Sequence, residues 1–238
     1  MLKYNHKDSI KEPLAIHFSG GPKSWDWRLW DFCEKRLNDF KITVPKNIAI
    51  VTYNNDLRRR KRGVLEQICI NNRVKYYNCA RTNVEFNWME KIHGFIENYD
   101  KIAEEFVLCV DSYDVFLQGD LTRLLNIKDD IIFQSEKGNQ LKKLKKLNME
   151  YIIDKEKQIL PDKDFFHLNA GCFFGKKEKI KNLMTILIDQ YKENNICDDQ
   201  IQWRLLRLNS GISIDCNLEY FLNPVYTDFK DYILKENA

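Results

Sequence analysis

Five consecutive apolar residues, Phe106 to Val110, end abruptly in Asp111, and few architectures accommodate such a run. A strand with no polar face must be covered on both sides, which is the situation of a central strand in an α/β sheet. The surrounding chain supplies the partners such a strand needs. Asn47 to Tyr53 is β-rich, follows Pro45 and breaks at Asn54-Asn55-Asp56 into a helical stretch from Leu57 to about Asn71, with Asp56 placed to cap it. Arg73 to Asn78 reads as a second strand, and Asn87 to Glu105 as a helix with Trp88, Ile92, Phe95, Ile96 and Tyr99 apolar. Ile131–Gln134 is a short apolar strand, Gly138–Lys157 a lysine-rich excursion, and Phe165–Gly175 a mixture of strand and turn residues. Lys176–Asn194 and Asp198–Leu208 read as helices, with late strands at Ile212–Asp215 and Tyr220–Phe221. Strands alternating with helices predict an α/β fold with a mostly parallel sheet flanked by helices. Ligands of such sheets sit beyond the carboxyl ends of the strands, so the position after Val110 is privileged.

Charge excludes little. The 38 basic and 35 acidic side chains leave a formal +3 over 238 residues, too weak a field to imply nucleic acid. Two basic clusters, Arg58–Arg62 and the lysines between Lys137 and Lys157, read either as solvated helix faces or as patches that attract phosphates. The seven cysteines are scattered without a C-x-x-C pair, and there are only four histidines. That pattern argues for a reducing compartment and against a disulfide framework or a multi-histidine metal site. No apolar run reaches the length of a bilayer crossing, and Met1 to Lys11 has no signal-peptide core, so a soluble, cytoplasmic protein is expected. The expected organisation is an N-terminal segment over 1–46, one domain over 47–230, and a tail over 231–238.

Asp111 and Asp114 stand three apart at the end of the buried strand. On one reading Asp111 caps a turn and Asp114 faces water. On the other, the chain turns so that both carboxylates face one point and share a divalent cation, which relieves their mutual repulsion.

The segment Phe106 to Phe116, FVLCVDSYDVF, resembles the metal-binding stretch of the glycosyltransferase domain of procollagen lysyl hydroxylases and, more loosely, the D-x-D motif of the glycogenin-like family. Val51-Thr52-Tyr53, the basic helix start at Arg58 and Lys91 have counterparts in that domain. Leu168 to Gly175 (LNAGCFFG) is similar to its L-N-S-G-G-F-I-G segment, Asp198-Asp199-Gln200 to its acidic loop, and Ser213-Ile214-Asp215 with Phe221-Leu222-Asn223 to its last core strands. The matches occur in family order between about 47 and 225. The resemblance implies a GT-A (Rossmann-like) fold and transfer of a sugar from a nucleoside diphosphate donor, a UDP-hexose, with retention. It implies that Asp111 and Asp114 bind Mn2+ (or Mg2+) and that Thr52 and Tyr53 lie near the base. Lys91 and Ser112 fall on the donor side, Asn169 and Gly171 line the sugar and acceptor side, and Asp198, Asp199 and Gln200 orient the sugar for catalysis.

One motif stands out of order. Relatives end in an H-x-x-G-x-x-K-P-W run whose His is the third metal ligand and whose Lys reaches the diphosphate; no such run follows Val225-Tyr226-Thr227 here. Instead Ile16-His17-Phe18-Ser19-Gly20-Gly21-Pro22-Lys23-Ser24-Trp25 lies near the start, with Ser24 where Pro is usual. In one reading this permuted segment folds back to supply His17 as a metal ligand and Lys23 to the donor. In others His17 is an ordinary strand histidine, or the segment is the end of a preceding domain. The function expected is metal-dependent glycosyl transfer to a hydroxyl of a glycan, protein or lipid; the alternative is an inactive nucleotide-sugar-binding or interaction module. A pyrophosphorylase is disfavoured because Tyr53-Asn54-Asn55-Asp56 is not a Gly-rich phosphate loop.

Overall fold

The computed structural model describes residues 1–6, 9–19, 27–55, 63–81, 84–138, 140–224 and 229–234. Along the chain, β1 (Leu2–His6), β2 (Ser9–Lys11) and β3 (Ala15–His17) precede α1 (Trp27–Lys35) and the short β4 (Ile42–Thr43). The first strand of the main sheet is β5 (Ile48–Thr52), followed by α2 (Val64–Asn71), β6 (Tyr76–Asn78), α3 (Glu90–Asn98) and β7 (Phe106–Val110). Then come β8 (Val115–Leu117), β9 (Gly119–Asp120), β10 (Ile131–Glu136), α4 (Leu141–Lys146) and α5 (Tyr151–Ile159). The chain continues through β11 (His167–Lys176), α6 (Lys177–Asn194), α7 (Asp199–Ser210), β12 (Ser213–Ile214), β13 (Phe221–Leu222) and β14 (Tyr232–Leu234).

The main sheet has six strands in the order β12-β10-β11-β7-β5-β6. It is mixed: β5 pairs in parallel with β6 and β7, and β10 with β12, while β11 is antiparallel to both neighbours. The single domain is therefore α/β with five strands in one direction and one reversed, a Rossmann-like arrangement with helices on its faces. The pattern of β11, a ten-residue buried strand that mixes apolar, polar and glycine positions, suits either direction, so periodicity alone does not reveal the reversal.

Alternation along the strands shows why β5 and β7 need apolar residues at every position. Ile48, Ile50, Leu108 and Val110 face a core shared with Leu65 and Ile68 of α2 and with the β3–β8–β13 layer. Ala49, Val51, Val107 and Cys109 face the opposite core, with Ile92 and Phe95 of α3, Leu183 of α6 and Trp203 of α7. Neither face meets water. The seven cysteines are all unpaired, five of them buried, as small apolar side chains.

Several expected boundaries move for local reasons. Arg73 has φ +56° and closes the turn after α2, so the second strand starts only at Tyr76. The long helix shortens to Glu90–Asn98 plus one 3-10 turn to Lys101, leaving Trp88 before its start and 47% exposed. The expected Asp56 cap and the basic cluster Arg58–Arg62 lie outside the described residues; α2 begins after Gly63, whose N–H donates to Glu66 Oε2 at 2.8 Å. The lysine-rich excursion folds into α4 and α5. The N-terminal segment is built into the domain: β3 pairs with β8 and β13, and β1 pairs with β14, which falls where a tail was expected. Among the described residues no helix is long and apolar enough to cross a membrane.

Candidate metal centre and cleft

After Val110 the chain turns through Asp111–Asp114 and leaves the main sheet as β8. That strand pairs antiparallel with β3 in a register that sets His17 opposite Val115. Phe18 N–H donates to the Asp114 carbonyl at 2.9 Å. Strand pairing across about a hundred residues of sequence thus carries His17 to the two carboxylates, with Nε2 3.7 Å from Asp111 Oδ2 and 3.6 Å from Asp114 Oδ2. The other ring nitrogen, Nδ1, lies 2.7 Å from Gln134 Oε1. An amide oxygen only accepts, so Nδ1 carries a proton and Nε2 is the nitrogen presented to the carboxylates.

These residues fit a divalent cation. Two ligands each about 2.1 Å from a shared ion stand roughly 3.0–3.6 Å apart, near the separations found here and beyond ordinary hydrogen-bond length. The ligand atoms of His17, Asp111 and Asp114 all lie within 4.8 Å of one another. An imidazole and two carboxylates suit a cation of hard to borderline character. The electrostatics agree. Burial acts against a charged His17, yet Asp114 and Asp111 outweigh it and raise its pKa to about 9, as expected where local fields favour positive charge.

Gly171 makes room for the histidine. A Cβ there would lie 2.0 Å from His17 Cε1, so no residue with a side chain fits while the ring holds this position. The β10–β11 register shifts after Phe133, which is opposite Phe173 while Gln134 is opposite Asn169. The irregular stretch of β11 includes Gly171, whose carbonyl accepts from Asp111 N–H at 2.9 Å. Bulges of this kind re-aim backbone at functional positions.

Lys91 joins the centre to the acidic loop. Its Nζ is 2.5 Å from Asp111 Oδ1 and 3.5 Å from Asp199 Oδ2, and sits 5.1 Å from the Trp88 ring centroid. Burial opposes its charge, but Asp111 and Asp199 hold the ammonium well above its ordinary pKa. Asp199 itself is raised by burial, with Lys91 opposing the rise and Asp111 adding to it. Gln200 Nε2 and Asn169 Nδ2 donate to the two oxygens of Glu136 at 2.6 and 2.8 Å, and Asn169 Oδ1 accepts from Gly171 N–H. Asn169, Gly171, Asp199 and Gln200 are thus tied to the metal centre by one network.

The remaining expected site residues hold varied positions. Thr52 is buried and its hydroxyl donates to the Val110 carbonyl at 2.8 Å, pinning β5 to β7. Ser112 is 2% exposed and turned towards Gly63, where a Cβ would lie 2.2 Å from its Oγ. Asp198 caps α7, accepting from Ile201 N–H, and pairs with Lys143. Tyr53 packs against Gly94 and lines the cleft with Thr52, Lys91, Asp111 and Asp199. Lys23 lies outside the described residues.

Three groups at the site went unnoticed in the sequence: Gln134, Glu136 and Tyr113, whose hydroxyl donates to Asn54 Oδ1. Glu136 had only a weak signal: it is the last residue of a strand whose first three residues, Ile131-Ile132-Phe133, are apolar, with Gln134 and Ser135 between. His167 is buried with Nδ1 2.7 Å from Glu156 Oε2, and Arg204 bonds the same carboxylate at 2.6 Å. No protein-family model matches the chain, and no curated protein matches it.

Proposed function

We propose that the chain is a metal-dependent glycosyltransferase that moves a sugar, a hexose from UDP by the resemblance, to a hydroxyl acceptor. The observation that carries this reading is the meeting of His17 with Asp111 and Asp114. His17, the histidine of the motif displaced to the start of the sequence, lies beside the carboxylate pair that the motif accompanies in the resembled family.

Breaking a sugar–diphosphate bond leaves negative charge on the departing nucleotide and builds positive charge on the sugar carbon. His17, Asp111 and Asp114 would hold the cation, whose Lewis acidity offsets the first charge. Lys91, held between Asp111 and Asp199, would add electrostatic stabilisation to a diphosphate bound there. Asp199 faces the same space and steadies positive charge at the sugar carbon, as acidic groups do around oxocarbenium-like states. Glu136 holds the amides of Asn169 and Gln200 by their N–H groups, which turns the Gln200 oxygen away from Glu136 and leaves it to accept from a sugar hydroxyl.

Calorimetric titration with Mn2+, then with UDP in its presence, tests the reading. Metal-dependent nucleotide binding that His17→Ala abolishes supports it, whereas binding indifferent to metal and to His17 overturns it. Slow release of free nucleotide from one member of a nucleotide-sugar panel identifies the donor and separates a catalyst from an inert binder.

A further inference from the structure

The helices α4 and α5 pack on α7 through Leu144 and Ile152 against Ile201, and through the buried bond between Glu156 and Arg204. Their outward faces carry a different composition. Tyr151, Lys155 and Ile159 form one stripe at i, i+4 and i+8 on α5, and Leu141 and Lys145 share a stripe on α4. Of the thirteen exposed large apolar side chains among the described residues, four (Leu141, Leu147, Tyr151 and Ile159) fall in this stretch of 19. That concentration is well above an even spread and coincides with six lysines against three acidic residues. Glu156 is paired inside with Arg204, and Lys143 with Asp198, which leaves five lysines of the stretch against its Glu150 and Asp154.

We infer that the outer surface of α4 and α5 docks on an anionic lipid bilayer. Charge complementarity selects an anionic partner, and the interleaved apolar residues select which kind. A soluble polyanion satisfies the lysines but leaves leucine, tyrosine and isoleucine in water. A bilayer with anionic headgroups takes both, with ammonium groups at the headgroup level and apolar tips below it. The surface adjoins the cleft: Lys143 of α4 pairs with Asp198, the residue before Asp199. On the transferase reading, docking would bring the cleft within reach of acceptors presented at the membrane surface, but the docking itself stands without that reading.

Co-sedimentation of the full chain with vesicles of phosphatidylcholine alone, and with phosphatidylglycerol added, tests the inference without nucleotide or metal. The chain is expected to pellet with the anionic vesicles and not with the neutral ones. Each lysine near such a surface contributes roughly fivefold in affinity, so K145Q/K146Q should weaken pelleting about 25-fold. Both positions are exposed and the variant should keep the parent's circular dichroism. Ile159→Trp should show a blue-shifted tryptophan emission relative to the parent when anionic vesicles are added. Unchanged pelleting of K145Q/K146Q, an emission from the Ile159→Trp variant that vesicles leave unshifted, or equally tight binding to soluble polyglutamate or DNA would overturn the proposal. Failure here leaves UDP and Mn2+ binding untouched, so the two readings fall separately.

Discussion

Gly171 has no side chain to offer a substrate, yet the geometry of the candidate metal centre depends on it. Replacing it with alanine would place a methyl 2.0 Å from the His17 ring and push the imidazole out of line with Asp111 and Asp114. Gly171→Ala should lower Mn2+ affinity roughly 10- to 100-fold, the range associated with losing a ligand's supporting contact, which isothermal calorimetry would measure. Gln134→Leu removes the acceptor that orients His17 Nδ1–H and should cost a similar factor with little change in fold. An effect confined to unfolding temperature, with metal affinity intact, would show that these contacts serve packing alone. Asp111 and Asp114 were legible because carboxylates rarely end an apolar strand, whereas His17 was singled out only by the resemblance of its segment to a family motif. Ser112 and Asp198 were legible as polar residues near the site, but the burial of the first and the bond of the second to backbone were not. A hydroxyl or carboxylate bonded to backbone has the same letter as one that faces a ligand.

At the scale of elements, the buried Glu156–His167–Arg204 group joins α5, β11 and α7. Removing one partner of a buried pair typically costs about 3–5 kcal/mol, because Arg204, 0% exposed, would keep its charge without a counter-charge. Glu156→Gln should therefore lower the unfolding free energy by about that amount at neutral pH, read from urea midpoints. The pH dependence follows from direction. Burial favours the protonated acid, but bonds from His167 and Arg204 prevail and hold Glu156 below its ordinary 4.5. On acidification the unfolded chain takes up this proton first, so stability present above pH 4.5 is lost as pH falls through that value towards the folded pKa. Glu156→Gln should flatten that part of the acid limb; an unchanged slope would place the loss elsewhere. On the other face, Phe133 is stacked 4.5 Å from Phe173 and lies 4.8 Å from Trp203. Phe133→Ala should cost about 3–5 kcal/mol, with a lower urea midpoint and an unchanged m-value.

Over the whole molecule, metal binding at the candidate centre would be linked to folding, because that centre draws on both the start of the chain and its middle. His17 comes from β3, Asp111 and Asp114 from the β7–β8 turn, and all are separated on unfolding. Mn2+ with UDP at about 100 times its dissociation constant should add roughly 2.7 kcal/mol and raise the midpoint about 5–10 °C for a chain of this length. No shift with any nucleotide, while Mn2+ alone binds, would leave a metal site without the proposed donor. The apolar strands, the helices between them and the acidic turn after Val110 were determined by the sequence alone, because periodicity and a break in hydropathy are properties of neighbouring residues. The reversal of β11, the register that sets His17 opposite Val115, and the pairing of β1 with β14 were decided only in the tertiary structure. Strand direction and partner choice depend on contacts between residues far apart in the chain, and no local pattern encodes which distant strand will offer its edge.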